Sequence, residues 1–141
     1  FREEHFTAGD RCELAEVLHP MRTALPYDSY SLSHAYVEAG GRTLPHRLIK
    51  ASETYVILSG EAVIHIDEES VSLEAGSCAV VPPGAEQSIV NRGQKRLEFL
   101  CIVTPPWSAG DEEVFQAKLK GNVIFISKTC DRILGAYQSD V

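Results

Sequence analysis

The stretch LPHRLIKASETYVILSG, Leu44 to Gly60, decides how this chain is read. Its two halves, "TLPHRLIK" and "ETYVILSG", are each of strand length and rich in Leu, Ile, Val and Tyr, and the second closes on a glycine. In an extended chain alternate side chains share a face. His46 and Leu48 therefore point the same way, as do Glu53, Tyr55 and Ile57. If His46 looks into an interior, Leu48 lays apolar surface beside it.

Working outward, runs of the same kind continue from Tyr30 to Val103. "SYSLSHAYV" precedes the stretch, and "EAVIHID", "ESVSLEAG", "SCAVVPPG", "QSIVNRG" and "RLEFLCIV" follow it. Turn signals recur about every 8–12 residues, the pattern of an all-β sandwich or barrel. Pro82-Pro83 falls at a strand end, where a missing N–H is tolerated. The flanks differ. "CELAEVLHP" reads as a strand or a short helix stopped by Pro20. "DEEVFQAKLKG" has acids first, lysines last and a closing glycine, which suits a short helix and its dipole; "NVIFIS" reads as one more strand. The expected organisation is an N-terminal segment over 1–27, an all-β sandwich or barrel over 28–104, and a helix-and-strand extension over 105–141.

With 141 residues, the chain is long enough to bury a core without staples. A net charge of −7 argues against nucleic-acid and anionic-membrane partners, whose affinity comes from clustered Lys and Arg. No apolar run approaches ~18 residues. Asp67-Glu68-Glu69 and Asp111-Glu112-Glu113 read as solvated surface. Cys12, Cys78, Cys101 and Cys130 form no CxxC pair, so they read as reduced thiols of a cytoplasmic protein.

Two stretches resemble the paired motifs of the cupin family. Gly40, His46, Glu53 and Gly60 match the first motif, with Leu48 where it has a second histidine. Gly76, Pro82, Gly84 and Asn91 match the second, with Gln87 where it has its histidine. "FTAGD", "LHP", "LPHRL" and "FLCIVTPPW" resemble small single-domain cupins labelled mannose-6-phosphate-isomerase-like. The resemblance implies a double-stranded β-helix, or jelly-roll barrel, with a site inside its mouth.

It also implies a divalent metal. Carried over residue by residue, His46, Glu53 and Gln87 would be its ligands, a set that suits Mn²⁺, Fe²⁺ or Mg²⁺, with Zn²⁺ also considered. No organic cofactor is expected. The competing reading is that Glu53 and Gln87 only hydrogen-bond His46 as a satisfied polar cluster. By strand phase Ile57, Ile89, Phe99 and Cys101 join Leu48 in a pocket wall, and Glu98 faces out. The family pattern turns Ser33 inward and His34 outward; the opposite phase would make His34 a further ligand. Glu53 and Tyr55 are the candidate proton carriers.

The functional expectation is a metal-dependent enzyme acting on a small polar or sugar-like molecule, by isomerisation, decarboxylation or oxygen-dependent cleavage. The alternative is a non-catalytic small-ligand-binding cupin without metal. Strands this rich in Val and Ile predict a homodimer that covers an apolar face. Arg42, Arg47 and Lys50 read as surface near the mouth.

Overall fold

Strand alternation builds the molecule. The segment Leu97–Thr104 buries Leu97, Phe99, Cys101 and Val103, while Glu98, Leu100 and Ile102 are only half-buried. Ser52–Ser59 repeats the pattern with Glu53, Tyr55 and Ile57 buried. The computed structural model describes residues 4–22, 29–120 and 123–128, the last strand and the far end of the one before it by backbone alone.

The described residues form twelve strands: β1 Phe6–Thr7, β2 Glu13–Leu18, β3 Ser31–Val37, β4 His46–Leu48, β5 Ser52–Ser59, β6 Glu61–Ile66, β7 Glu69–Glu74, β8 Cys78–Val81, β9 Gln87–Val90, β10 Leu97–Thr104, β11 Glu112–Lys120 and β12 Val123–Lys128. They make two six-stranded antiparallel sheets. The first runs β1-β2-β3-β10-β5-β8 and the second β12-β11-β4-β9-β6-β7. The arrangement is all-β and resembles a double-stranded β-helix. Each sheet has two edge strands among the described residues, so it is a pair of open sheets rather than the closed barrel expected.

Residues spaced along the chain meet by register. Across the first sheet Ala35, Phe99 and Ile57 lie side by side, and so do Ser33, Cys101 and Tyr55. In the second, His46 lies directly opposite Gln87. The fully buried side chains include Ile57, Ile64, Ile89, Leu97 and Phe99. Each contributes roughly 1.5–3 kcal/mol of burial.

Several motif positions do structural work in turns. Gly60 joins β5 to β6 at φ 91°, and a Cβ there would sit 2.9 Å from the carbonyl oxygen of Arg96. Only glycine fits both constraints. Asn91, fully buried, donates to the carbonyls of Val37 and Lys95 and accepts from the N–H of Gly93.

The expected helix after Asp111 is not formed. A single 3₁₀ turn spans Ala109–Asp111, and Glu112 begins a strand. Glu112, Glu113 and Val114 pair with Leu48, Arg47 and His46. Asp111 accepts from the N–H groups of Lys50 and Ala51, which locks the start of that pairing. Arg47 binds Glu113 across it at 2.6 Å. The charge gradient along "DEEVFQAKLKG" mimics a helix, but β4 offers an open ladder and the long-range hydrogen bonds override local preference. "NVIFIS" is a strand, paired with β11 at the edge of the sheet. "CELAEVLHP" also resolves as a strand, β2.

Candidate functional site

Tyr55 and Glu53 project from the first sheet toward Gln87 and His46 on the second. Gln87 bridges the two sheets. Its Nε2 donates to Glu53 Oε2 at 2.9 Å, and its Oε1 accepts from the Tyr55 hydroxyl at 2.7 Å. This orientation is the one chemistry requires, because an amide oxygen turned to a carboxylate would repel it. His46 donates from Nδ1 to the carbonyl of Leu44 at 2.9 Å, which fixes the proton on that nitrogen. Its Nε2 lies 3.9 Å from Glu53 Oε2, an ion-pair distance longer than a hydrogen bond. Asp10 Oδ2 is 4.0 Å from Nδ1.

Of these groups, His46, Glu53, Tyr55 and Asp10 border a cavity of about 70 Å³. A single water needs roughly 10–15 Å³, so the space suits a few waters or one small molecule. His46, Glu53, Tyr55, Ser33, Phe99 and Cys101 line it, with Asp10, Cys12, Glu16, Trp107 and Glu112 arriving from the flanking segments. Ile57 and Ile89 sit deeper, in the packed core. Leu48 is buried against Ala51, Val103 and Trp107 and is not part of the cavity wall.

Burial alone would lower the His46 pKa, but Glu53, Asp10 and Glu112 outweigh it and raise it to about 10. The imidazolium form therefore dominates at neutral pH. Burial pushes Glu112 up to about 7, with Asp10 and Glu53 adding to the rise and His46 opposing it. Burial, reinforced by Glu53, also raises Tyr55 and Cys101, which stay protonated. Cys101 is thus no thiolate nucleophile.

The outer face of the same sheet holds His34. It is 2.9 Å from His5 and 3.3 Å from Glu98, away from the cavity that Ser33 lines. His19 is buried and structural: its Nε2 donates to the carbonyl of Trp107 at 2.9 Å.

The metal reading is overturned by the donor set. Gln87 has committed its oxygen to Tyr55 and presents an N–H, not a lone pair, to Glu53. Leu48 packs in its own apolar cluster. Among the described residues no group of three or more His, Cys, Asp or Glu is arranged to hold a metal ion. The expected ligand set of His46, Glu53 and Gln87 is therefore not formed. With it fall the expected Mn²⁺, Fe²⁺, Mg²⁺ or Zn²⁺ cofactor and the metal-dependent enzyme.

Sequence reasoning missed Asp10, Glu16, Trp107 and Glu112. Glu112 had read as solvated surface. The available signal was phase: had "EEVF" been taken as a strand with Val114 inward, Glu112 would have turned inward too. Asp10 had no local signal, since it reaches the site only through β1 and β2.

Two facing antiparallel sheets, with a small, largely apolar cavity between them into which His46 and Glu53 face, resemble a double-stranded β-helix. The cupin-domain model matches residues 33–103, and the chain belongs to that family. An uncharacterized protein of Methanocaldococcus jannaschii is 32% identical over 79% of this chain and 87% of its own. The oxalate-binding protein of Thermotoga maritima is 39% identical over 36% of this chain and 42% of its own length. Among solved structures, a predicted oxalate decarboxylase from Thermotoga maritima superposes with a TM-score of 0.65 at 24% identity, over 73% of this chain and 93% of that one. The chain is thus a cupin, with sequence similarity over part of its length to that oxalate-binding protein. The mannose-6-phosphate-isomerase label expected from sequence gives way to this coarser relation.

No described helix is long and apolar enough to cross a membrane.

Proposed function

We propose that this cupin is a non-catalytic small-molecule-binding protein that holds its ligand, without a metal, in the cavity beside His46 and Glu53. The observation that carries the reading is the closed chain from Tyr55 through Gln87 to Glu53. It consumes the donors that would otherwise complete a metal site, and it leaves a cavity with a charged wall. Ser33, Glu53, Phe99 and Cys101 are its contact residues, and Tyr55 acts through Gln87 by holding Glu53 in place. The oxalate-binding relative supports small-ligand binding as the class of activity.

A second copy of the chain covering the outer face of the first sheet belongs to the same proposal, since Leu58 and Val80 are exposed there. The free thiols of Cys12, Cys78 and Cys101 support a reducing, cytoplasmic setting. Titration calorimetry of the full chain against small polar molecules tests the binding, with Ser33→Leu to fill the cavity. Saturable binding lost in Ser33→Leu is expected. Binding that survives the filled cavity overturns the assignment.

A further inference from the structure

The ionisable groups around the cavity are unevenly matched. The carboxylates of Asp10, Glu53 and Glu112 face it, whereas His46 is its one nitrogen base among the described lining residues, and no Lys or Arg lines it. Glu16 also borders it but is held by Arg22 at 3.4 Å. Counted as charges, more negative than positive groups meet in a small space walled by Phe99, Val103 and Trp107.

A second observation concerns His46 itself. The ring is only 3% exposed and its Nδ1 is satisfied by Leu44. Its Nε2 meets Glu53 Oε2 only at 3.9 Å, an ion pair longer than a hydrogen bond, and both residues line the cavity. A ligand oxygen accepting from Nε2 would give that nitrogen a hydrogen bond shorter than its contact with Glu53. The site therefore asks for one acceptor oxygen at His46 and for donors or positive charge toward the three carboxylates.

We infer that the cavity takes a small ammonium-bearing molecule with a neighbouring oxygen, of the amino-alcohol type, and disfavours dicarboxylates such as oxalate. The inference rests on the cavity being the ligand site. An ammonium supplies three donors and the missing positive charge, while its hydroxyl reaches His46 Nε2. A dicarboxylate could satisfy His46 but would bring further negative charge against Asp10, Glu53 and Glu112, where water does not screen it. The raised pKa of Glu112 is consistent with this: burial, Asp10 and Glu53 already make its ionised form unfavourable. The cavity of about 70 Å³ limits the ligand to a compact molecule.

Calorimetry at pH 7.5 on the full chain, with ethanolamine, ethylene glycol and oxalate as probes, tests this. The glycol keeps the oxygen and loses the charge; oxalate reverses it. Ethanolamine is expected to bind about tenfold or more tighter than the glycol, since one opposite charge nearby is worth about 1–3 pK units. Oxalate is expected to be the weakest. Asp10→Asn and Glu112→Gln should each weaken ethanolamine by about tenfold and narrow its lead over oxalate. Circular dichroism and melting of the variants show whether they are folded. Oxalate binding tightest, and lost in Ser33→Leu, overturns the charge preference while leaving the cavity as the binding site. Failure of every probe to bind the wild-type protein overturns both.

Discussion

The two ends of the space between the sheets are built by the same strands and hold opposite chemistry. Toward one end the inward positions are Ile57, Ile64, Ile89 and Leu97, packed to almost complete burial. Toward the other, β5, β10 and β4 present Glu53, Cys101 and His46, and the flanking segments add Asp10 and Glu112 around a cavity. Tyr55 and Gln87 mark the boundary between them. The difference teaches that strand period decides only which side chains face in. Whether the interior is filled or hollow depends on residue type and on segments that arrive from far along the chain.

The packed end should be the more fragile. Ile64→Ala removes a side chain 1% exposed from that core. It should cost about 2–5 kcal/mol in urea unfolding, because close packing limits collapse of the void. A loss under 1 kcal/mol would mean that this end is as loosely filled as the other.

At the boundary, Gln87→Leu keeps the volume and removes both bonds that join the sheets. The Tyr55 hydroxyl and the Glu53 carboxylate lose partners, for a cost of about 1–3 kcal/mol. Leu48→His probes the neighbouring apolar cluster with Ala51, Val103 and Trp107. It should also cost about 1–3 kcal/mol through a poorly paired buried imidazole. Thermal melts with Mn²⁺ or Zn²⁺ should not recover the loss, since no ion binds the folded state preferentially. Recovery by either ion would reopen the metal reading.

The polar end should also respond to pH in a way the packed end cannot. Both His46 and Glu112 have folded-state pKa values raised above their ordinary ones, to about 10 and about 7. Each binds its proton more tightly when folded, so its contribution is present at low pH and is lost as pH rises. The Glu112 contribution falls between its ordinary value of 4.5 and about 7, and the His46 contribution between 6.5 and about 10. One proton changes stability by at most about 1.4 kcal/mol per pH unit. Melting temperature should therefore decline from pH 7 to 10, and His46→Gln should flatten that decline. A wild-type profile already flat over this range would contradict the proton-holding geometry.

The same contrast explains what the sequence made legible. Alternation in "ETYVILSG" and "RLEFLCIV" is carried by neighbours in the chain, so the inward phase of Glu53, Tyr55, Ile57, Phe99 and Cys101 could be read directly. So could the outward phase of Glu98 and the glycine turn at Gly60, while Asn91 was placed by the motif resemblance. The strand at Glu112 could not be read, because its cause is the open edge of β4, more than sixty residues earlier in the chain. The metal expectation failed for a related reason. Spacing put His46, Glu53 and Gln87 in one place, but only the Tyr55 hydroxyl, arriving by register, determines that Gln87 turns its nitrogen to Glu53.

The smallest effect should come from the outer face, which belongs to neither end. Val80 on β8 is 62% exposed in the single chain. Val80→Thr keeps the β-branched shape and the strand preference. On an isolated chain it should change stability by no more than about 0.5 kcal/mol, as surface substitutions away from special features do. If a second copy covers this face, the substitution acts on association instead. The wild-type melting temperature would then rise with protein concentration, and the variant would need more protein to reach the same value. Sedimentation of both proteins over a range of micromolar concentrations separates the cases. A wild-type monomer throughout, with identical melts for the variant, would remove the dimer from the proposal and leave the contrast between the two interior ends untouched.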